Sequence, residues 1–248
     1  MLTKQIFAHR GLSRLAPENT LAAYRELKKH GVKWLETDLD LTQDGDIVIL
    51  HDADLDRTTD HSGSVHELTH DELAKVDAGS WFSDAFIGEP LPTLAQVIQV
   101  INADQLNVNF ELKAHLAGDP VRRDQLIRQF SAALAGVNPA SQILVSSFSP
   151  EMLTRFSAVQ PAIKTAVLFK KEQLAQDWIA IAQKAGASAV HPEVGGLTKD
   201  RVRALKAAGL AVNVWTVNSL SKANQLFNWG ADGVFTDISQ DFPSRYLN

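Results

Sequence analysis

The chain contains no cysteine. Disulfides, thiolate nucleophiles and zinc sites built on sulfur are therefore excluded, although the absence fits a reducing or an oxidising compartment equally well. Long apolar runs are also missing, and none approaches the roughly 18 residues that span a bilayer. Blocks of Lys and Arg do not occur and the formal net charge is -5, which argues against a nucleic-acid partner, because phosphate backbones are held by clustered cations. Neither a G-x-G-x-x-G turn nor a P-loop is present, so the glycine-rich phosphate loop of open dinucleotide-binding sheets is lacking. Residues Met1 to Ala8 carry one lysine and run directly into strand-like Ile6-Phe7-Ala8, with no apolar stretch or small-residue cleavage site of an export signal. Taken as a full translation product, the chain reads as soluble and cytoplasmic.

What the sequence does have is a repeated punctuation. Four amphipathic segments end in a glycine and pass at once into an apolar strand: Lys29-His30-Gly31, Lys184-Ala185-Gly186, Ala207-Ala208-Gly209 and Asn228-Trp229-Gly230. Glycine suits the left-handed position that stops a helix, and the short loop after it sends the chain straight back into the sheet. Adding the less regular units predicts eight strands, at Gln5 to His9, Trp34 to Leu41, Asn107 to Lys113, Gln142 to Phe148, Ile163 to Leu168, Ser188 to Pro192, Ala211 to Val217 and Gly233 to Thr236. Helical periodicity falls between them at Thr20 to His30, Pro120 to Ala135, Pro150 to Val159, Gln176 to Ala185, Lys199 to Ala208 and Ser221 to Trp229. Eight βα units in 248 residues match the size of a closed (β/α)8 TIM barrel in one catalytic domain, residues 1–248, in preference to an open doubly wound sheet. Residues 53–91 break the rhythm and read as a small insertion, either a cover for substrate or a helical excursion packed on the rim.

Strand alternation gathers the chemistry. In Trp34-Leu35-Glu36-Thr37-Asp38-Leu39, Glu36 and Asp38 share one face and the leucines take the other. In Asn109-Phe110-Glu111-Leu112-Lys113, Glu111 and Lys113 fall together. Two like charges about 4 Å apart repel by roughly 4 kcal/mol at an effective dielectric of about 20, so three such acids call for a cation. Oxygen ligands without sulfur suit one divalent ion, Mg2+ or Ca2+. His9 and His51 each end an apolar run, and a pair of imidazoles can take a proton from a nucleophile and give one to a leaving group. Arg10 and Lys113 can bind a phosphate or form salt bridges, and Gly11 either lets backbone approach a ligand or serves the loop. Asn19 or Thr20 can cap the first helix, which leaves Glu18 free to orient Arg10 or His9. Trp215 can line a pocket or pack in the core. His30, His61, His66, His70, His115 and His191 match no catalytic pattern and read as surface or structural, with His191 singled out because it ends a strand; Ser146-Ser147-Phe148 ends another.

In the order His9-Arg10-Gly11, Pro17-Glu18-Asn19-Thr20, Glu36-Thr37-Asp38, His51-Asp52, Pro92-Thr93-Leu94, Glu111-Leu112-Lys113, Val214-Trp215-Thr216 and Gly233-Val234-Phe235-Thr236-Asp237, the chain resembles the glycerophosphodiester phosphodiesterase family. The resemblance spans nearly the whole sequence. It implies a TIM barrel with an insertion after His51-Asp52, a cation on Glu36, Asp38 and Glu111, acid/base chemistry by His9 and His51, and substrate contacts from Arg10, Lys113, Glu18 and Trp215. The implied reaction is hydrolysis of a small glycerophosphodiester to sn-glycerol 3-phosphate and an alcohol. Alternatives are a lysophospholipase D-type hydrolase of lipid phosphodiesters, which would need an apolar rim or membrane segment, and a catalytically silent phosphate-binding barrel, which would have lost an acid or a histidine.

Overall fold

The computed structural model describes residues 4–246. Its strands are β1 (Gln5–Ala8), β2 (Trp34–Leu41), β3 (Ile47–Ile49), β4 (Asn107–Leu112), β5 (Ile143–Ser147), β6 (Lys164–Phe169), β7 (Ala189–Pro192), β8 (Ala211–Val214) and β9 (Gly233–Thr236). Neighbours follow the order β1-β9-β8-β7-β6-β5-β4-β2-β3, and β1 also pairs with β2. That last pairing closes a barrel of eight parallel strands, while β3 lies antiparallel on β2 through Leu39, Asp40 and Leu41. The fold is a (β/α)8 TIM barrel.

Helices α1 (Leu21–Lys29), α2 (His70–Leu73), α3 (Leu94–Asp104), α4 (Pro120–Ala133), α5 (Pro150–Val159), α6 (Trp178–Lys184), α7 (Lys199–Ala207) and α8 (Leu220–Trp229) follow. Their starts are set by side-chain caps that satisfy otherwise unpaired amides. Thr20 accepts from Ala23 N at α1, Thr93 and Gln96 form a reciprocal box at α3, and Ser149 caps α5. Gly230 ends α8 at φ 115°. Helix α3 lies outside the helices expected from the sequence, although Leu94, Val97, Ile98 and Ile101 form its buried stripe.

Two apolar layers result from strand alternation. Leu35, Leu39, Val108, Phe110, Val145 and Val212 point outward and meet the helices in the main core. Phe7, Trp34, Leu144, Ala166, Ala189 and Phe235 point inward and plug the barrel axis, with Phe7 stacked on Phe235 at 4.4 Å between centroids. A plug at one end forces the inward polar residues toward the other, the carboxyl ends of the strands, where barrel sites form. Between residues 53 and 91 the chain leaves the barrel and builds a lobe around Leu55, Val65, Leu73, Val76, Ala78 and Leu91, which shares its small core with Val48 and Leu50. None of the helices among the described residues is long and apolar enough to cross a membrane.

Candidate active site

Glu36 and Asp38 on β2 and Glu111 on β4 are all buried, and their oxygens come within 4.8 Å of one another. Register explains the meeting, since Asp38 is the direct partner of Glu111 across the two parallel strands. Two cations offset part of the charge. Lys113 Nζ lies 2.7 Å from Glu111 Oε1 and 3.3 Å from Asp38 Oδ1, and Arg10 Nε lies 3.5 Å from Asp38 Oδ2. Burial alone would raise the Asp38 carboxyl, but Lys113 and Arg10 hold it far below the usual carboxylate range. Glu36 has no comparable side-chain partner among the described residues; burial, with the charges of Asp38 and Glu111, raises it well above its ordinary value, although Arg10 N donates to its Oε2 at 2.9 Å. Three acids against two cations, in a cluster whose carboxylates offer oxygen only, fit a hard divalent ion.

Arg10 and Asn19 both occupy the left-handed region, at φ 59° and 56°, and Asn19 N donates to Arg10 O at 3.0 Å. Such backbone costs about 1–3 kcal/mol per residue and persists only where surroundings enforce it. Here it turns Asn19 Nδ2 onto Asp38 Oδ2 at 2.8 Å and Arg10 NH1 onto Glu18 Oε1 at 2.7 Å. Gly11, at φ 85°, is required by α1: a Cβ there would fall 2.8 Å from Ala23 Cβ and 2.9 Å from Tyr24.

Each catalytic candidate imidazole is tied at Nδ1 to a carboxylate. His9 meets Asp237 Oδ1 at 2.7 Å, and His51 meets Asp52 Oδ1 at 2.5 Å. Ionised carboxylates only accept, so Nδ1 must carry the proton in both rings and Nε2 is the atom free for chemistry. Asp52 is pushed down to about 2 despite partial burial, by its hydrogen bonds from Arg57 and His51. Burial lowers His51 below the ordinary imidazole value, against the attraction of Asp38 and with the help of Lys113 and Arg10. His9, Arg10, Glu36, His51, Glu111 and Lys113 line one cavity of about 620 Å3, which Phe148, Lys170, Trp215 and Phe235 also line. The cavity suits a small polar ligand.

A family model described as the glycerophosphoryl diester phosphodiesterase family matches residues 9–240. The chain belongs to that family. A glycerophosphodiester phosphodiesterase of Caldanaerobacter subterraneus subsp. tengcongensis is 32% identical over 232 residues, with 94% of this chain and 93% of that protein covered. One from Bacillus subtilis is 32% identical over 247 residues, covering 95% and 84%. Among solved structures, an Oleispira antarctica phosphodiesterase in complex with the product sn-glycerol-3-phosphate superposes with a TM-score of 0.90 at 34% identity, over 97% of this chain and 96% of that one. As a glycerophosphodiester phosphodiesterase, the protein hydrolyses glycerophosphodiesters, and its Glu36, Asp38 and Glu111 could hold a metal ion.

Within this phosphodiesterase the residues named from sequence come together at one barrel mouth, but several neighbours were not visible there. Asp237 pairs with His9 across 228 positions. Glu18 holds Arg10 and is itself gripped by Arg57 from the lobe, at 2.8 Å. Thr20 is the helix cap, so Asn19 is released to position Asp38. Trp215 is only partly buried; its Nε1 donates to His191 O at 2.7 Å and its ring meets Phe148 edge-on. His191 is buried between Asn213 and the Phe235 ring.

Proposed function

We propose that His9 and His51 are the acid/base pair of this hydrolase, that Glu36, Asp38 and Glu111 hold one divalent cation, Mg2+ or Ca2+, and that Arg10 and Lys113 take the phosphate, with Trp215 against the substrate and Glu18 fixing Arg10. The observation that carries this reading is the matched pair of imidazoles, each fixed by a carboxylate at Nδ1 and each lining the cavity that the acids share. When bound to Glu36, Asp38 and Glu111, the cation would supply positive charge that offsets the negative charge growing in the transition state. One neutral imidazole takes the proton of the neighbouring glycerol hydroxyl at Nε2 as that oxygen bonds to phosphorus. The other, which starts as the imidazolium with a proton on each nitrogen, gives its Nε2 proton to the departing alcohol as the phosphorus–oxygen bond breaks, which leaves a cyclic phosphate. Water then opens the ring: the second imidazole, now neutral, takes the water proton, and the first returns its proton to the glycerol oxygen, so both rings end as they began. Arg10 offers a planar fork to the phosphoryl oxygens throughout. The product is sn-glycerol 3-phosphate, the molecule held by the Oleispira antarctica relative.

His9→Ala and His51→Ala are each expected to lose at least about a hundredfold in kcat, measured as release of glycerol 3-phosphate from glycerophosphocholine with added Mg2+ or Ca2+. Near-normal turnover in either variant would remove that residue from the reaction, and full activity after chelation would remove the cation. Lysophospholipid under the same conditions serves as the comparison; faster release from it would favour the lipid substrate.

A further inference from the structure

Asp40 is the third acid on the inward-facing register of β2, two residues beyond Asp38, and the reaction makes no use of it. Its carboxylate is fully buried. Oδ1 accepts from Leu41 N at 2.8 Å. Oδ2 faces two imidazoles, His66 Nε2 at 3.1 Å and His115 Nδ1 at 2.9 Å. These imidazoles are its ionic partners among the described residues; no Lys or Arg reaches it. The three donors come from three separate segments: β2, the Val65–Glu67 turn of 3-10 helix in the lobe, and the Ala114–Leu116 turn after β4. No local turn geometry brings them together.

From this convergence we propose that Asp40, His66 and His115 form a second metal site, for a first-row divalent transition ion of the Zn2+ class. Two imidazole nitrogens and one carboxylate oxygen, mutually within 4.8 Å, match the three-protein-ligand set that zinc takes with water in its fourth position. The catalytic cluster offers oxygen only and suits a harder ion, so the two sites are separated by chemistry. The histidine side chains stay 23% and 32% exposed, which leaves an open side for ion entry and for the water ligand. A dication would place a full positive charge directly against the buried carboxylate of Asp40, which is otherwise held only by hydrogen bonds from Leu41 N and the two rings. Loading joins the lobe, through His66, to the barrel, through Asp40 and His115, and His115 lines the catalytic cavity. The ion thus pins one wall of that cavity in place.

The test uses the whole protein with Mg2+ in large excess to fill the oxygen cluster, titrated with Zn2+ and, for its visible absorption, with Co2+. Wild-type protein is expected to bind one equivalent, with a rise in Tm. His66→Ala and His115→Ala, each checked for native circular dichroism, are expected to lose at least about tenfold in affinity, since even residues that merely support a ligand cost that much, and to lose the Tm rise. Absence of Zn2+ binding in the wild type would overturn the proposal, leaving Asp40 as a hydrogen-bonded bridge between the two rings. Unchanged binding in both variants would overturn it as well, because the ion would then sit on His9, His51 or the catalytic acids.

Discussion

Asp237 shows how much of the chemistry depends on a single atom-to-atom contact. Its Oδ1 accepts from His9 Nδ1 and its Oδ2 accepts from Asn218 Nδ2 at 2.6 Å, so the carboxylate is itself held in place. An amide can present a donor to Nδ1, which moves the ring proton to Nε2 and removes its ability to act as base. Asp237→Asn is therefore expected to lower kcat at least about tenfold, with little change in KM and an altered pH profile; a loss confined to KM would mean that Asp237 serves binding. Glu36 gives a second prediction. Burial and two neighbouring carboxylates raise its pKa well above the ordinary value, which makes protonation of Glu36 compete with cation binding. Cation affinity should rise with pH through that raised pKa and flatten above it. Titration calorimetry in buffers of different ionisation enthalpy is expected to show proton release on Mg2+ or Ca2+ binding, and equal heats in all buffers would contradict it. Side-chain alternation along Glu36-Thr37-Asp38 made this cluster legible in the sequence. Nothing along the chain marks the pairing of His9 with Asp237, or of Asp40 with His66 and His115, because those contacts exist only once the barrel has closed.

Among the elements, strands and helices that follow the βα alternation were legible to within a few residues, because apolar periodicity and terminal glycines act locally. Helix α3 was not expected, although its capping box and apolar stripe are as clear as any in the chain. It follows the lobe and antiparallel β3 instead of a barrel strand, so the repeat that exposes the other helices does not point to it. Asn19 was read as a possible cap for the same local reason: a short polar side chain before a helix suggests capping, and only the left-handed turn at Arg10 reveals its reach to Asp38. The inward strand faces carry their own test. Phe7 on β1 is fully buried between Trp34 and Phe235, at 4.9 and 4.4 Å between centroids. Phe7→Ala should leave a cavity in the axial plug and cost about 3–5 kcal/mol in urea unfolding. A loss below about 1 kcal/mol would mean that the barrel collapses onto the space.

At the scale of the whole molecule, the barrel stacks an apolar plug beneath a polar layer and sets the charged mouth above both, and this stacking makes global stability depend on pH. His191 lies in the polar layer, fully buried, with Asn213 Nδ2 3.1 Å from its Nε2. Burial pushes its pKa down to about 3 from 6.5. The folded protein therefore keeps His191 neutral while the unfolded chain protonates it below about 6.5, so the unfolded state binds more protons across that interval and stability drops as pH is lowered through it. The contribution is complete above 6.5 and is lost progressively as pH falls toward 3. At 1.36 kcal/mol per pH unit it amounts to about 3 kcal/mol by pH 4. His191→Gln cannot take up that proton on unfolding. Whatever its stability at pH 7, the difference between its unfolding free energies at pH 7 and pH 4 should be smaller than that of the wild type by about 3 kcal/mol, measured in urea with chelator present so that cation release does not contribute. An identical pH dependence in the two proteins would show that His191 takes up its proton in the fold without cost, which the absence of a partner for its Nδ1 among the described residues argues against.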